Sequence, residues 1–301
     1  MIGKDAPLPV FDFRECEWPE PVYRRLEEDG FEKPTPIQSQ GWPIVLSGRD
    51  MVGVAQTGSG KTLCYVLPSF ANIIKRGSVL GPQCLVLSPT RELAQQIQSV
   101  VRHFRITHSV CLYGGVSRVP QMRSIREMNP QIIIATPGRI NDFLQSSILD
   151  LKTVNYLVLD EADRMLDMGF EPQIRTIIKR IPKERQTLMW SATWPREVQS
   201  LAGEFMKDYI QINVGGTLLA ANKNIKQIVE VVEIYKKYDK LIEILKQYPQ
   251  TKQGENKILI FVQTKRMADA LTHKLKLCGK SVMALHGDKS QNQRDFIMNG
   301  N

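Results

Sequence analysis

The chain is 301 residues long, with 42% hydrophobic and 24% charged residues, a composition that excludes global disorder and permits a sizeable core. No apolar run reaches the roughly 18 residues of a membrane-spanning helix, and the N-terminus lacks the apolar core of a signal peptide, so we expect no membrane partner. The five cysteines lie far apart, without CxxC pairs or zinc-type spacing to histidines, which predicts free thiols in an intracellular, reducing compartment.

Basic residues exceed acidic ones, and most of the surplus lies in the C-terminal part. The net charge of the whole chain is +9. Residues 1–215 hold 25 basic and 23 acidic residues, a net charge of +2, whereas residues 216–301 hold 15 and 8, a net charge of +7. Such a surplus fits a polyanionic partner, but a solvated lysine-rich surface has the same composition.

Short β-type runs recur along residues 1–215, with helix-length segments between them. The runs are DMVGVA (50–55), CLVLSP (84–89), SVCLYG (109–114), QIIIAT (131–136), YLVLDE (156–161), QTLMWSA (186–192) and YIQINV (209–214). Most are continuously apolar, as expected of strands that are buried on both faces of a sheet. The alternation predicts an α/β fold with a doubly wound parallel sheet, whose ligands bind at the carboxyl ends of the strands.

A glycine-rich and then polar segment follows the last run and predicts a linker at residues 216–225. A second pattern begins after it: the apolar run IVEVVEIY, a helix KYDKLIEILKQY, a strand KILIFVQ, a helix KRMADALTHKLKLCG and a strand SVMALHG. We therefore predict a first domain at residues 1–215 and a partial second domain at 226–301, because a full domain of this kind needs about 150 residues.

A phosphate-binding loop is predicted where the first strand ends. The segment AQTGSGKT matches G-x-x-x-x-G-K-[ST] except that Ala55 replaces the first glycine. Its glycines let backbone N–H groups surround a phosphate chain at a helix N-terminus, Lys61 can reach the β- and γ-phosphates, and Thr62 can place its hydroxyl on Mg²⁺. The predicted nucleotide contacts are Ala55, Gln56, Thr57, Gly58, Ser59, Gly60, Lys61 and Thr62.

Two carboxylates at the end of the run YLVLDE supply the acidic partner that a phosphate loop needs. Asp160 would hold Mg²⁺ together with Thr62, and Glu161 would accept a proton from the attacking water. With Lys61, these two residues are the predicted catalytic set. A solvated acidic turn at a helix start is the alternative interpretation of the same residues.

These motifs closely resemble those of the DEAD-box ATP-dependent RNA helicases, whose naming motif stands here as Asp160-Glu161-Ala162-Asp163. The resemblance covers roughly residues 11–297, and the SATWP and DMGFEPQI segments are similar to the branch with p68-type and Vasa-type proteins. It implies a RecA-like fold with a complete first and a partial second RecA-like domain. It also implies ATP and Mg²⁺ as cofactors and RNA as partner.

The resemblance assigns roles to further motifs. The segment GFEKPTPIQ is similar to the Q motif, in which Phe31 would stack on adenine and Gln38 would pair with its edge. Residues that couple hydrolysis to strand separation would be Asp163, Ser191 and Thr193. Those that contact RNA would be Pro89, Thr90, Arg91, Gly114, Gly115, Thr136, Gly138, Arg139, Gln291 and Arg294. Backbone N–H groups at glycines, threonine hydroxyls and arginines suit phosphates, so binding independent of base sequence is expected.

Two motifs of the family, typically ARGxD and HRxGRxxR, do not occur in these 301 residues. Arginine fingers contribute on the order of 10³–10⁵ in the rate of related phosphoryl transfers, so we expect Mg²⁺–ATP to bind but to be hydrolysed poorly. The expectation is a helicase of this type that is truncated before these motifs and acts as a monomer in the nucleus or cytoplasm. The alternative is a non-catalytic fragment that binds ATP and RNA and competes with a full-length helicase.

Overall fold

A computed structural model of the protein describes residues 2–215, 225–248 and 258–298. The chain divides into two compact units, Met1–Leu219 and Ala220–Asn301. The linker predicted at residues 216–225 lies outside the described residues except for Ile225.

The first unit is built on a seven-stranded sheet. Its strands are β1 (Met51–Ala55), β2 (Cys84–Leu87), β3 (Ser109–Leu112), β4 (Ile132–Ala135), β5 (Tyr156–Leu159), β6 (Gln186–Ser191) and β7 (Ile210–Val214). The order across the sheet is β3-β4-β2-β5-β6-β1-β7, and every pairing is parallel. All seven predicted strands are confirmed. Each observed strand is shorter than its prediction by one or two residues at one or both ends. The polar residues at those ends belong to the loops.

Nine helices of the first unit are described. They are α1 (Glu20–Glu28), α2 (Pro36–Leu46), α3 (Lys61–Arg76), α4 (Arg91–Phe104), α5 (Arg118–Met128), α6 (Pro137–Gln145), α7 (Ala162–Asp167), α8 (Glu171–Ile178) and α9 (Arg196–Phe205). Helix α4 shows how the sequence sets such bounds: the Thr90 hydroxyl caps its start by accepting from Leu93 N at 3.3 Å, and Arg105 ends it in the left-handed region. Nowhere in the described parts of the chain is there a helix of the length and apolar character that a membrane crossing requires.

The strands are apolar throughout because both faces of the sheet are covered. Along β5, Tyr156 and Val158 belong to one buried cluster, whereas Leu157 and Leu159 belong to the other. The first cluster also contains residues of α1 to α4, and the second contains residues of α6 to α9. Alternate residues of a strand point to opposite faces, so a run without polar residues is what a doubly covered sheet requires.

A tryptophan ring lies across a glycine of β1, the strand next to the edge strand β7. Gly53 of β1 is paired with Trp190 of β6, and Trp190 is fully buried. A Cβ added at Gly53 would lie 2.2 Å from the Cζ3 atom of that ring. The close approach of ring and backbone therefore requires glycine at this position.

The second unit has helices but no paired strands among its described residues, 225–248 and 258–298. Its α-helices are α10 (Lys237–Gln247), α11 (Lys265–Leu277) and α12 (Gln291–Met298). The first two confirm the two helices predicted for it, whereas α12 was not predicted. The strands predicted at KILIFVQ and SVMALHG are not formed in their described residues. A strand is defined by a hydrogen-bonded neighbour, and Leu259 and Phe261 are 75% and 87% exposed, without the packing that a strand in a covered sheet has.

The contact at Gly53 predicts a large cost for a single methyl group. Gly53→Ala should lower the free energy of unfolding by about 2 kcal/mol, because the Trp190 ring or the β1 backbone must shift. Urea unfolding of the full chain, followed by tryptophan fluorescence, measures this. The matched control is Gly203→Ala in α9, where an added Cβ meets nothing within 4 Å and should stabilise by about 0.5–1 kcal/mol. Equal unfolding midpoints for Gly53→Ala and the unaltered chain would contradict the contact.

The burial pattern predicts different local stabilities for the two units. Leu245 and Leu275 are the buried hydrophobic residues of the second unit among those described, whereas every strand of the first unit contributes buried residues. Backbone amides of α10 to α12 should therefore exchange with deuterium at least about tenfold faster than those of β1 and β5. Hydrogen exchange resolved by peptide mass measures the difference, and equal protection in both units would contradict it.

Candidate nucleotide and RNA site

The predicted site residues of the first unit other than Phe31 and Gln38 lie at one edge of the sheet. The phosphate loop follows β1, the acidic pair follows β5, and the Ser191–Thr193 segment ends and follows β6. The segments with Arg91, Gly114 and Arg139 follow β2, β3 and β4. Because all strands are parallel, their carboxyl ends meet at this edge, with β5-β6-β1 adjacent on one side and β3-β4-β2 adjacent on the other.

The phosphate loop has the backbone that its glycines permit. Gly58 and Gly60 have φ values of 79° and 93°, in the left-handed region, and α3 begins directly after Gly60. Gln56 and Thr57 at the tip of the loop are exposed. The ammonium group of Lys61 is buried and donates to the carbonyl of Ala55 at 2.8 Å, so the lysine closes the loop from within.

Gln38 connects the Q-motif segment to the phosphate loop. Its Oε1 accepts from Thr35 N at 2.9 Å and its Nε2 donates to the carbonyl of Gly60 at 3.1 Å. A Cβ at Gly60 would lie 2.7 Å from the Gln38 amide nitrogen, so this approach also requires glycine. Phe31 is half-buried and packs against the core. The adenine contacts of Gln38 and Phe31 stay predictions.

Asp160 is a buried carboxylate held on both of its oxygens. It is 3% exposed; its Oδ1 accepts from Glu161 N at 3.0 Å, and its Oδ2 accepts from the Tyr65 hydroxyl at 2.8 Å. Burial raises the pKa of Asp160, and the Tyr65 hydrogen bond and the charge of Lys61 oppose that rise in part. A carboxylate has about four lone-pair positions, so each oxygen keeps one for a further ligand.

Glu161 is held in a strained backbone conformation. Its φ and ψ of 52° and 53° place it in the left-handed region, where residues other than glycine are uncommon. The turn separates the side chain of Glu161, which is half-buried, from the buried side chain of Asp160. Backbone strain of this kind is concentrated at functional sites, and here it lets two adjacent carboxylates serve different neighbours.

Hard oxygen donors at this edge fit Mg²⁺ better than a softer metal. The Asp160 carboxylate and the Thr62 hydroxyl are the protein oxygens that could hold it, because Mg²⁺ keeps several waters and binds through one or two carboxylates plus phosphates. No group of three or more His, Cys, Asp or Glu side chains within the described residues could form a protein-only metal cage.

The last acidic residue of the tetrad is bonded to the segment after β6. Asp163 Oδ2 accepts from Thr193 N at 2.9 Å and from Thr193 Oγ1 at 2.7 Å, and its own N–H donates to Ser191 Oγ at 3.4 Å. Burial raises the pKa of Asp163, but the hydrogen bonds from Thr193 and Ser191 outweigh it, and the pKa lies below its usual value. The predicted coupling residues are thus in direct contact.

Arg139 is the most enclosed arginine of the β3-β4-β2 side. It is 7% exposed and its Nη2 donates to the carbonyl of Val116 at 2.8 Å. Its Nε forms an ion pair with Asp142 Oδ2 at 3.7 Å, and neither Nε nor Nη1 has a partner within hydrogen-bond distance among the described residues. Burial lowers its pKa. Buried N–H groups of a guanidinium favour an anionic acceptor, because leaving them unmade is costly.

The neighbouring loops leave backbone open to a ligand. Gly114 and Gly138 have nothing within 4 Å of an added Cβ, and Gly115 has a φ of 79°. Arg91 lies over the ring of Tyr113 with its Cζ 4.6 Å from the centroid. The remaining predicted RNA contacts of this unit lie beside them: Pro89 and Thr136 are buried, and Thr90 caps α4.

Gln291 and Arg294 belong to the second unit, on α12. The Gln291 amide donates to Asp295 Oδ1 at 2.9 Å, and the Arg294 backbone N–H donates to the carbonyl of Ser290 at 3.0 Å. The structure brings the first-unit residues together at one sheet edge, whereas the RNA contacts of these two residues stay predictions.

Two residues at the site escaped the sequence analysis. Gln121 accepts from Tyr113 N and donates to Tyr113 O, both at 3.1 Å, and so fixes the backbone directly before Gly114. No local pattern indicates that contact. Tyr65 could have been found, because it lies three positions after Thr62 and therefore on the same face of α3.

Comparison with known proteins gives the family. Residues 35–201 match the DEAD/DEAH box helicase family, and residues 236–300 match the helicase conserved C-terminal domain. The human protein named "Probable ATP-dependent RNA helicase DDX17" is 52% identical over 305 residues, which cover 99% of this chain and 41% of that protein. The protein named "ATP-dependent RNA helicase DBP2" from Chaetomium thermophilum is 51% identical, over 99% of this chain and 54% of its own length.

Among solved structures, a DEAD box protein from the hyperthermophile Methanococcus jannaschii has a TM-score of 0.64 and 33% identity, over 97% of this chain and 77% of that one. This chain spans about half the length of the curated relatives. The match at residues 35–201 covers more than half of the chain and includes the phosphate loop and the acidic tetrad. The chain therefore belongs to the DEAD/DEAH box helicase family.

Proposed function

We propose that this chain is part of an ATP-dependent RNA helicase that binds Mg²⁺–ATP and the RNA backbone and couples hydrolysis to local unwinding of a duplex. One observation supports the proposal: the loops that contain the motifs all extend from the same edge of the sheet and form two adjacent groups. The loops after β1, β5 and β6 offer phosphate and metal chemistry, and those after β2, β3 and β4 offer arginines and open backbone.

The nucleotide is bound by the loop at residues 55–62, whose glycine N–H groups and Lys61 take the phosphates. Thr62 and Asp160 would hold Mg²⁺, which when bound neutralises charge on the β- and γ-phosphates. Glu161 accepts a proton from the attacking water, and its side chain is half-buried, so the carboxylate stays accessible to a water molecule. Gln38 and Phe31 contact the adenine base. The Gln38–Gly60 hydrogen bond connects this adenine-binding segment to the phosphate loop.

RNA is bound through its phosphates. Arg139 supplies buried N–H groups, Arg91 is braced on Tyr113, and Gly114 and Gly138 expose backbone. None of these groups distinguishes one base from another, so binding is independent of sequence.

Coupling of hydrolysis to strand separation runs through Asp163, which joins the acidic pair after β5 to the segment after β6. A change at Asp160 and Glu161 is transmitted along α7, whose first turn is bonded by Asp163 to Thr193 and Ser191. The segment after β6 therefore responds to the occupancy of the nucleotide site.

A polypeptide of these 301 residues carries no HRxGRxxR motif, so its own ATP turnover is slow. The second candidate function is an ATP- and RNA-binding polypeptide that competes with a complete helicase. RNA-stimulated ATP turnover by these residues at the rate of a complete relative would exclude that candidate. We place the protein in the nucleus or cytoplasm and expect a monomer.

Two substitutions separate nucleotide binding from hydrolysis. Glu161→Gln should keep ATP affinity within about twofold and lower the residual turnover by roughly 10²–10⁴, because the shape survives and the proton acceptor is lost. Lys61→Ala should instead weaken ATP binding itself. Calorimetric titration with Mg²⁺–ATP and phosphate release measure the two effects. Loss of nucleotide binding in Glu161→Gln would show that this carboxylate serves binding.

The RNA side predicts a sequence-independent loss. Arg139→Ala should weaken binding of single-stranded RNA by roughly ten- to a hundredfold, and by the same factor for two unrelated sequences. Arg123→Ala is the charge-matched control, because its exposed side chain pairs with Glu127 on α5. Fluorescence anisotropy at fixed salt measures both. A factor that depends on the RNA sequence would count against the assignment.

A further inference from the structure

A tyrosine hydroxyl holds the carboxylate that is proposed to bind Mg²⁺. Tyr65 lies on α3, is 0% exposed, and donates its hydroxyl to Asp160 Oδ2 at 2.8 Å. Thr62 lies one turn before Tyr65 on the same helix. Tyr65 lies outside every motif used to assign the site.

The contacts fix the carboxylate from two directions. Glu161 N holds Asp160 Oδ1 from the chain itself, and Tyr65 holds Oδ2 from the neighbouring helix. Thr62 and Tyr65 are three positions apart and share a face of α3, so one helix presents a hydroxyl to the metal position and a second hydroxyl to the carboxylate.

Tyr65 is itself held rigidly. Its ring is fully buried in the core and lies 5.9 Å from that of Trp190. The nearby Tyr156 is equally enclosed, at 1% exposed. A hydroxyl on so fixed a ring can define the orientation of a carboxylate, which a mobile side chain could not.

We propose that Tyr65 is a positioning residue for the metal: its hydroxyl sets the Asp160 carboxylate in the orientation that receives Mg²⁺. The inference rests on the proposed nucleotide function. It extends that function to a residue that touches neither substrate nor metal and acts through the carboxylate that does.

The test is the Mg²⁺ dependence of ATP binding in Tyr65→Phe, which deletes one oxygen and keeps the ring. ATP is titrated by calorimetry at a series of MgCl₂ concentrations and in EDTA. The Mg²⁺ concentration for half-maximal enhancement of ATP affinity should rise roughly ten- to a hundredfold, the usual effect of losing such a partner of a metal ligand. ATP affinity in EDTA should stay within about twofold.

Tyr156→Phe is the matched control. It deletes an equally buried hydroxyl from the same cluster, but that hydroxyl bonds to the Tyr65 carbonyl and not to Asp160. It should lower the thermal midpoint about as much as Tyr65→Phe does and leave the Mg²⁺ requirement unchanged. Thermal unfolding of both variants sets an assay temperature at which both are folded.

A double variant separates positioning from general destabilisation. Asp160→Asn should raise the Mg²⁺ requirement, and adding Tyr65→Phe to it should raise it no further, because the carboxylate through which Tyr65 acts is already gone. Equal Mg²⁺ requirements for Tyr65→Phe and Tyr156→Phe, or independent effects in the double variant, would overturn the inference and leave the nucleotide site intact. ATP binding that is indifferent to Mg²⁺ in the unaltered chain would overturn the proposed function itself.

Discussion

The structure depends on one constraint: every strand of the first unit runs in the same direction. A parallel sheet sends each strand's carboxyl end to one edge, so segments far apart in sequence meet there without needing long loops. Thr62 and Asp160 come together in this way through β1 and β5, although β6 lies between those strands in the sheet. The strand order also divides the loops into two groups, because β1, β6 and β5 are neighbours on one side of the sheet and β2, β4 and β3 are neighbours on the other side.

Buried polar contacts then turn this edge into a defined geometry. Asp160 is enclosed, and its charge is tolerated because Tyr65 and the Glu161 backbone donate to it. Gln38 ties the helix before β1 to the phosphate loop, and Asp163 ties α7 to the segment after β6. Each of these contacts joins two elements, so a displacement of one element shifts the other element. The site is a network of hydrogen bonds whose residues are held in position by a rigid sheet.

The sheet and most of the site could be predicted from the sequence because they rest on local signals. Continuous apolar runs predicted the seven strands, and the glycines around Lys61 predicted the phosphate loop. The helix and strand periods do not reveal which side chains meet across elements, so the Gln121–Tyr113 and Gly53–Trp190 contacts appeared only in the structure. The strands predicted around Phe261 failed for a related reason: an apolar run predicts a strand only where a neighbouring strand is available to pair with it.

The central claim is that one sheet edge carries two binding regions, divided between β5 and β2. Hydrogen exchange of the full chain with Mg²⁺–ATP alone and with single-stranded RNA alone tests this most directly. ATP should slow amide exchange in the loops after β1, β5 and β6, and RNA should slow it in the loops after β2, β3 and β4. Protection of the same loops by both ligands, or of neither group, would contradict the account.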